Sequence, residues 1–192
     1  MKATDVKFLA RAAGASLRGN ADAVAFGVKI DSRECSSGDM FVCVIGERDD
    51  GHKYTMDAYE RGCRIFLMSD EWRAVELIER DPEATVMLVE DSAEGFKRMA
   101  AAYIERFPLR KVAITGSVGK TSTKSYTAAI LAERYNVVSS QKNLNTHLGI
   151  CLTCFQADET TEIAVFEMGM DRPGEIGEYV DWVFPETGVI TY

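Results

Sequence analysis

Arg110-Lys-Val-Ala-Ile-Thr-Gly-Ser-Val-Gly-Lys-Thr-Ser-Thr-Lys124 is the most informative segment of this chain. Its apolar run 112–114 predicts a short buried strand. A glycine-rich turn follows at 116–119, and a helical pattern then extends from about Thr121 to Arg134. Strand, turn and helix in this order are typical of a phosphate-binding loop. The glycines let backbone N–H groups surround an anion, and the helix N-terminus adds positive potential.

The loop is a short variant of the phosphate-binding pattern. The general pattern requires a glycine five residues before the Gly-Lys pair, and that position is Ile114. An ordinary strand-to-helix turn with a solvated lysine is the alternative, but the order of elements favours a nucleotide site. Lys120 is expected to reach the β- and γ-phosphates, and the Thr121 hydroxyl to bind Mg²⁺. The predicted nucleotide-binding residues are Thr115, Gly116, Ser117, Val118, Gly119, Lys120, Thr121 and Ser122.

A candidate metal ligand follows another predicted strand. Glu167 comes directly after the apolar run 163–166, which is expected to lie in the same sheet as the loop. Although a surface carboxylate is commoner in general, one at a strand end beside this loop can hold Mg²⁺ or orient its water. Thr121 and Glu167 are therefore the predicted metal residues, and Lys120 and Glu167 the predicted catalytic residues.

The rest of the chain alternates short strands with helices, which predicts an α/β fold. We expect one small domain over residues 1–90 and a second, with a parallel sheet, over 91–192. Helices are predicted over 4–14, 53–62, 71–79, 92–107, 121–134, 148–155 and 173–183, and strands over 28–33, 40–45, 64–68, 85–89, 111–115, 136–139, 163–166 and 188–192. The last strand stops where such a sheet usually carries a functional loop. We therefore expect a part, or an unusually minimal form, of a longer enzyme.

Composition narrows the function classes. The net charge of −8 argues against a nucleic-acid surface, which needs clustered Lys and Arg. No apolar stretch approaches the roughly 20 residues of a membrane span, and no export signal is visible, so a cytoplasmic protein without membrane insertion is expected. The five cysteines fall mostly in apolar runs and predict buried thiols in a reducing compartment. Cys151 and Cys154 have the spacing of half a zinc site, but no second pair matches them.

Three polar segments are weaker candidates for binding. Asp31-Ser-Arg33 ends a predicted strand, and its serine and arginine are able to bind a phosphate or a base edge, although such a tripeptide usually only begins a loop. Asp49-Asp-Gly-His52 is suited to a ligand contact but more often caps a helix. Asn143 and Asn145 lie on a predicted loop, where asparagines usually bond their own backbone.

Taken together, these segments resemble the Mur ligase family. The resemblance rests on short motifs in one order over about 28–176: Asp31-Ser-Arg33, Gly38-Asp-Met-Phe41, Gly46-Glu-Arg-Asp-Asp-Gly-His52, Thr115-Gly-Ser-Val-Gly-Lys-Thr121, Asn143-Leu-Asn145 with Gly149, Glu167-Met-Gly-Met170 and Pro173-Gly-Glu-Ile176. It implies a small N-terminal UDP-binding α/β domain, followed by an incomplete ATPase domain of the P-loop type that uses ATP and Mg²⁺. The implied substrate-binding residues are Ser32, Arg33, Gly46, Asp50, Gly51, His52, Asn143 and Asn145.

The implied activity is ATP-dependent amide ligation in peptidoglycan precursor synthesis, with UDP-N-acetylmuramoyl-tripeptide and D-alanyl-D-alanine as substrates and an acyl phosphate as intermediate. A monomer is expected. The chain departs from the family pattern at Val118 and Thr146, where asparagine is usual, and at Cys151, where proline is usual. The family's further metal ligands and its dipeptide-binding domain would fall beyond Tyr192, so this chain alone is expected to be inactive as a ligase.

Two other readings stay open at this point. One is a related amide ligase, either the Mur ligase that adds the third peptide residue or an enzyme of the folylpolyglutamate type. The other is a non-catalytic nucleotide-binding module that acts through a partner.

Overall fold

The computed structural model describes residues 1–47, 49–141 and 144–192, and the chain forms two compact units, Met1–Met99 and Ala100–Tyr192. The helices are α1 (Val6–Ala13), α2 (Thr55–Glu60), α3 (Glu71–Arg80), α4 (Ser92–Ile104), α5 (Lys120–Ala132), α6 (His147–Cys154) and α7 (Glu175–Val183). The strands are β1 (Thr4–Asp5), β2 (Ser16–Gly19), β3 (Val24–Ala25), β4 (Gly27–Lys29), β5 (Asp39–Val42), β6 (Ile65–Met68), β7 (Thr85–Leu88), β8 (Arg110–Gly116), β9 (Val137–Ser139), β10 (Ile163–Glu167) and β11 (Thr187–Thr191). The division falls inside α4, nine residues beyond the predicted boundary at 90/91.

The first unit is built on a five-stranded sheet in the order β2-β7-β6-β5-β4. All neighbours are parallel except β2, which runs antiparallel to β7 at one edge. Every residue of β5 and β6 is buried, as expected for central strands of a parallel sheet that is covered on both faces. The core on one face combines residues of the sheet and of α2 and α3, including Phe41, Phe66, Ala58 and Leu77.

Aspartate side chains account for two differences from the predicted elements. The strand predicted over 28–33 ends at Lys29, and Ser32–Glu34 forms a 3-10 turn in which the Asp31 carboxylate accepts the Arg33 N–H at 3.0 Å. Likewise, the helix predicted over 53–62 begins with a 3-10 turn at Gly51–Tyr54, capped by Asp50. A side chain that binds the backbone two residues on competes with regular structure, which shortens both elements. The strand β2 and the short pair β1–β3 were not predicted, because they lack a clear apolar alternation.

The second unit contains a four-stranded, fully parallel sheet in the order β11-β8-β10-β9. Its core includes Ile114, Ile163 and Val165 of the two central strands, with α5 packed against them through Ala128 and Leu131. Glu167 pairs in register with Ile114, so β8 and β10 end at the same edge of the sheet. This confirms the predicted α/β fold with a parallel sheet, and it brings the glycine-rich turn next to Glu167.

Within the described ranges, no helix combines the length and the apolar character that a membrane span requires.

Candidate functional site

The glycine-rich turn joins β8 to α5 in the predicted way. Gly116 has φ +136° and Gly119 has φ +88°, backbone conformations that residues with a Cβ rarely adopt. A Cβ on Gly116 would also lie 2.2 Å from the Thr191 carbonyl oxygen of β11. Glycine is therefore required at position 116 by both the backbone angle and the close approach of the neighbouring strand.

The start of α5 has the character of an anion site. Gly119 precedes the helix and supplies no side-chain cap, so the N–H groups of the first turn have neither an intrahelical acceptor nor a capping oxygen from that residue. The Lys120 ammonium folds back over the turn and donates to the Gly116 carbonyl at 2.6 Å. A positive charge and helix N–H groups thus meet at one point, which is the arrangement that binds a phosphate. The Val118 N–H donates to the Tyr192 carbonyl at 2.5 Å.

Glu167 is the centre of a buried polar network beside this turn. Its side chain is 1% exposed. Its Oε1 accepts hydrogen bonds from the Thr121 hydroxyl at 3.0 Å and from the Asn145 amide at 3.2 Å. Its Oε2 lies 3.3 Å from the Lys124 ammonium. The carboxylate at the end of β10 is thus contacted by side chains from α5 and from the segment before α6.

Backbone contacts fix this carboxylate in place. The Glu167 N–H donates to the buried Ser140 hydroxyl at 3.2 Å, just beyond β9. Two residues on, the Gly169 N–H donates to the Asn145 carbonyl at 2.8 Å. A Cβ on Gly169 would stand 3.1 Å from the Asn145 side chain, so a glycine lets the asparagine approach Glu167 closely. The network is therefore held by the same segments that supply its side chains.

The oxygen donors at this point fit a hard divalent cation. Glu167 Oε2 is buried and accepts no hydrogen bond of good geometry from the described residues. Carboxylate and hydroxyl oxygens are the ligand types of Mg²⁺, which usually takes one or two protein ligands and completes its shell with water and phosphate. Among the residues that the structure describes, no group of three or more His, Cys, Asp or Glu side chains is placed to hold a metal ion.

A second cavity, of about 660 Å³, lies in the first unit and includes Ser32 and Arg33. The Ser32 hydroxyl donates to the Asp57 carboxylate at 2.6 Å. The Arg33 guanidinium pairs with Asp31 at 2.6 Å and holds the pKa of that carboxyl at about 2. The complete lining is Ile30, Asp31, Ser32, Arg33, Asp49, Tyr54, Asp57 and Arg61. The cavity offers hydrogen-bond donors and acceptors, and side chains of both positive and negative charge, to a polar ligand.

The residues of the segment 46–52 that were predicted to bind substrate mainly contact other parts of the protein itself. His52 is 1% exposed, its Nδ1 lies 2.6 Å from the Asp50 carboxylate, and its Nε2 accepts the Ser69 N–H at 2.9 Å. Gly51 is packed so tightly that a Cβ would lie 2.8 Å from the Val44 nitrogen, and the Gly46 N–H donates to the Asp49 carbonyl at 2.8 Å. These residues shape the loop beside the cavity. Asn143 lies outside the described residues.

The cysteines behave as expected for core residues. All five are buried, and burial raises the pKa of Cys43 and Cys154 to about 12. Thiols of this kind stay protonated and do not act as nucleophiles.

Sequence reasoning did not identify several residues that face these sites, among them Lys124, Asp57 and Arg61. Lys124 contacts Glu167, while Asp57 and Arg61 line the second cavity. Only Lys124 had an available signal, because it follows Thr121 by three residues and therefore shares its face of the helix. Asp57 and Arg61 lie on or next to α2, where charged residues are ordinarily solvated.

Comparison with known proteins agrees with this geometry. The model described as "Mur ligase family, catalytic domain" matches residues 26–112, and the "Mur ligase middle domain" matches residues 114–192. The chain therefore belongs to the Mur ligase family, as the sequence motifs indicated.

Two relatives with similar sequences carry the same protein name. The chain is 36% identical over 169 residues to the UDP-N-acetylmuramoyl-tripeptide–D-alanyl-D-alanine ligase of Bacillus subtilis (strain 168), covering 88% of this chain and 36% of that protein. It is 33% identical over 170 residues to the Escherichia coli (strain K12) ligase of the same name, again covering 88% of this chain and 36% of the relative. The chain thus spans little more than a third of the length of these relatives.

Solved structures give the same picture. A MurF crystal structure from Acinetobacter baumannii superposes with a TM-score of 0.86 at 25% identity, over 99% of this chain and 40% of that one. MurF ligase from Thermotoga maritima in complex with ADP has a TM-score of 0.69 at 30% identity, over 82% of this chain and 35% of that one.

Proposed function

We propose that this protein is an ATP-dependent amide ligase that joins D-alanyl-D-alanine to UDP-N-acetylmuramoyl-tripeptide. The observation that carries the proposal is the meeting of the Thr121 hydroxyl with the buried Glu167 carboxylate, 3.0 Å apart, at the end of the parallel sheet and beside a glycine-rich anion site. The names of the relatives then supply the substrates.

ATP is the proposed nucleotide. The turn and first helical residues, 115–122, would surround its phosphates, and Lys120 would exchange its contact with the Gly116 carbonyl for a phosphate oxygen. The Thermotoga maritima relative in complex with ADP supports an adenine nucleotide.

Mg²⁺ is the proposed metal, with Thr121 and Glu167 as the residues that would hold it. When bound, the ion supplies positive charge that offsets the negative charge of the transferring phosphoryl group. The chain itself orients Glu167 and neutralises phosphate charge. Asn145 and Ser140 hold Glu167 in place, and Lys120 would place a second positive charge beside the phosphates.

The proposed reaction activates a carboxylate before the amide forms. Hydroxide is a poor leaving group, so the terminal carboxylate of the UDP-linked peptide first attacks the γ-phosphorus of ATP, giving an acyl phosphate and ADP. The amine of D-alanyl-D-alanine then attacks the acyl carbon, and inorganic phosphate leaves with the two electrons of the broken C–O bond. The route needs no cysteine or serine nucleophile.

The first unit is proposed to hold the UDP part of the substrate in the 660 Å³ cavity, with Ser32 and Arg33 as contacts and with the loop 46–52 beside it. Asn143 and Asn145 are proposed as further substrate-binding residues, of which Asn145 also donates to Glu167 at 3.2 Å. We also propose that the protein works as a monomer in the cytoplasm, a reducing compartment that suits its buried thiols.

A chimera tests this proposal directly. The corresponding part of the Bacillus subtilis relative is replaced by this chain, and ATP-dependent formation of the amide is followed by phosphate release and mass spectrometry. We expect product from the tripeptide substrate and D-alanyl-D-alanine. A matched Lys120→Ala chimera is expected to form product far more slowly, since it loses the phosphate contact.

The alternatives give different results in the same assay. Activity with a UDP-linked dipeptide and a single amino acid, or with a folate and glutamate, would assign the chain to another ligase of the same chemistry. Nucleotide binding by the chain, with no amide formed by a folded chimera on any of these substrates, would reject the ligase function and favour a binding module.

A further inference from the structure

Lys124 and Glu167 form a pair of buried opposite charges. The proposed reaction gives a role to Glu167 but none to Lys124. The Lys124 side chain is 4% exposed and the Glu167 side chain 1% exposed, with 3.3 Å between Nζ and Oε2. Taking two charges out of water costs several kcal/mol for each ion, so a lysine is seldom buried in a helix without a specific purpose.

The position of Lys124 follows from the helix. Thr121 and Lys124 are three residues apart on α5, so both reach Glu167 from the same face. The hydroxyl takes Oε1 and the ammonium faces Oε2, which means that one carboxylate binds the proposed metal ligand with one oxygen and a fixed positive charge with the other.

The charge of the pair decides which cations the site attracts. A buried carboxylate alone would attract a divalent cation, but the neighbouring ammonium brings the formal charge of the pair to zero. Repulsion between a divalent cation and an ammonium a few ångströms away is large in a partly desolvated site. A cation that arrives with a nucleotide brings the negative phosphates with it, and their charge outweighs this repulsion.

We propose that Lys124 is a positioning and specificity residue that prevents Glu167 from binding a divalent cation alone and restricts the site to the metal–nucleotide complex. This inference rests on the proposed function, because it takes Glu167 as the metal ligand. Lys124 acts through Glu167 and through charge, and it does not contact the reacting atoms.

The test measures binding of Mn²⁺ without nucleotide, by the loss of its free EPR signal. The wild-type chain is expected to bind weakly, whereas Lys124→Met is expected to lower the Mn²⁺ dissociation constant at least about tenfold, since it removes the repulsive charge and keeps the carboxylate. Lys124→Arg keeps the charge and is expected to bind as weakly as the wild type. These readouts do not depend on catalysis.

Two further variants separate electrostatics from folding. Lys124→Gln retains a hydrogen-bond donor toward Glu167 and is expected to gain Mn²⁺ affinity in the same way, which keeps the test valid should Lys124→Met not fold. The double variant Lys124→Met with Glu167→Gln removes both charges, and it should fold but bind no Mn²⁺. Thermal unfolding with and without Mn²⁺ checks the folded state of each variant.

The inference is overturned if the folded Lys124 variants bind Mn²⁺ no more tightly than the wild type, or if the double variant keeps the gained affinity. Binding of Mg²⁺ with ADP to the wild-type chain is measured alongside. If the wild type binds Mg²⁺ with ADP and the Lys124 variants gain nothing, only this inference fails; if the wild type binds no nucleotide, the proposed function fails first.

Discussion

Replacing Lys120 with alanine should weaken nucleotide binding strongly while leaving the fold intact. The ammonium is partly exposed at the start of α5 and contacts backbone carbonyls of its own turn, at 2.6 Å for Gly116 and 3.5 Å for Ser117. Alanine is an excellent helix former, so the helix loses little. A hydrogen bond between a charged group and a phosphate contributes about 1.5–3 kcal/mol, which corresponds to roughly a 10- to 150-fold rise in the dissociation constant.

Isothermal titration with Mg²⁺ and ADP measures this loss, and titration with the UDP-linked tripeptide serves as the internal reference. The UDP response should stay unchanged, because the 660 Å³ cavity lies in the other compact unit. Lys7→Ala, which removes a surface lysine that pairs with the exposed Asp22 at 2.6 Å, is a matched control expected to alter neither response. A parallel loss of both responses in Lys120→Ala would refute the separation of the two sites, and unchanged ADP binding would refute the assignment of the loop.

Three further changes probe other parts of the structure. Gly116→Ala should destabilise the chain by about 2–4 kcal/mol in urea unfolding, because its φ of +136° and the 2.2 Å approach to β11 exclude a Cβ. Gly177→Ala on α7, where an added Cβ meets nothing within 4 Å, should not destabilise it. The Asp5 carboxylate caps α1 by accepting the Lys7 N–H at 2.6 Å. Asp5→Ala removes this cap and should lower the free energy of unfolding by about 1 kcal/mol in the same assay. Because Arg33 holds the pKa of Asp31 at about 2, below its ordinary 3.8, this pair stabilises the fold above pH ~4 and loses that effect as the pH falls toward ~2. Arg33→Ala should therefore be less stable than wild type at neutral pH, and the difference should shrink over that acidic range; a constant difference would contradict the pairing.

Helices and central strands were predictable where the apolar pattern is strong. The run Arg64-Ile-Phe-Leu-Met68 predicted β6 almost to the residue, because a strand buried on both faces is apolar throughout. The pattern failed at Asp31 and Asp50, where one side-chain hydrogen bond replaces a regular backbone bond. Such local bonds depend on rotamers and leave no periodic trace in the sequence.

The site around Glu167 was also predictable in part. Thr121 and Glu167 were placed together from strand ends alone, since parallel strands end at a common edge. Their contact at 3.0 Å is what the structure adds. The spacing from Thr121 places Lys124 on the same helix face, but its burial could not be read from the sequence, because most lysines on a helix are exposed.

The sequence by itself determined the α/β class and the strand, glycine-rich turn and helix of residues 110–124, because glycine spacing and apolar runs act over a few neighbouring residues, and its ordered motifs indicated the Mur ligase family. Only the tertiary structure decided the sheet order β11-β8-β10-β9, the burial of Glu167 and Lys124, and the engagement of both His52 ring nitrogens. Those features depend on partners distant in the chain, and burial turns an ordinary carboxylate and an ordinary lysine into a strongly interacting pair.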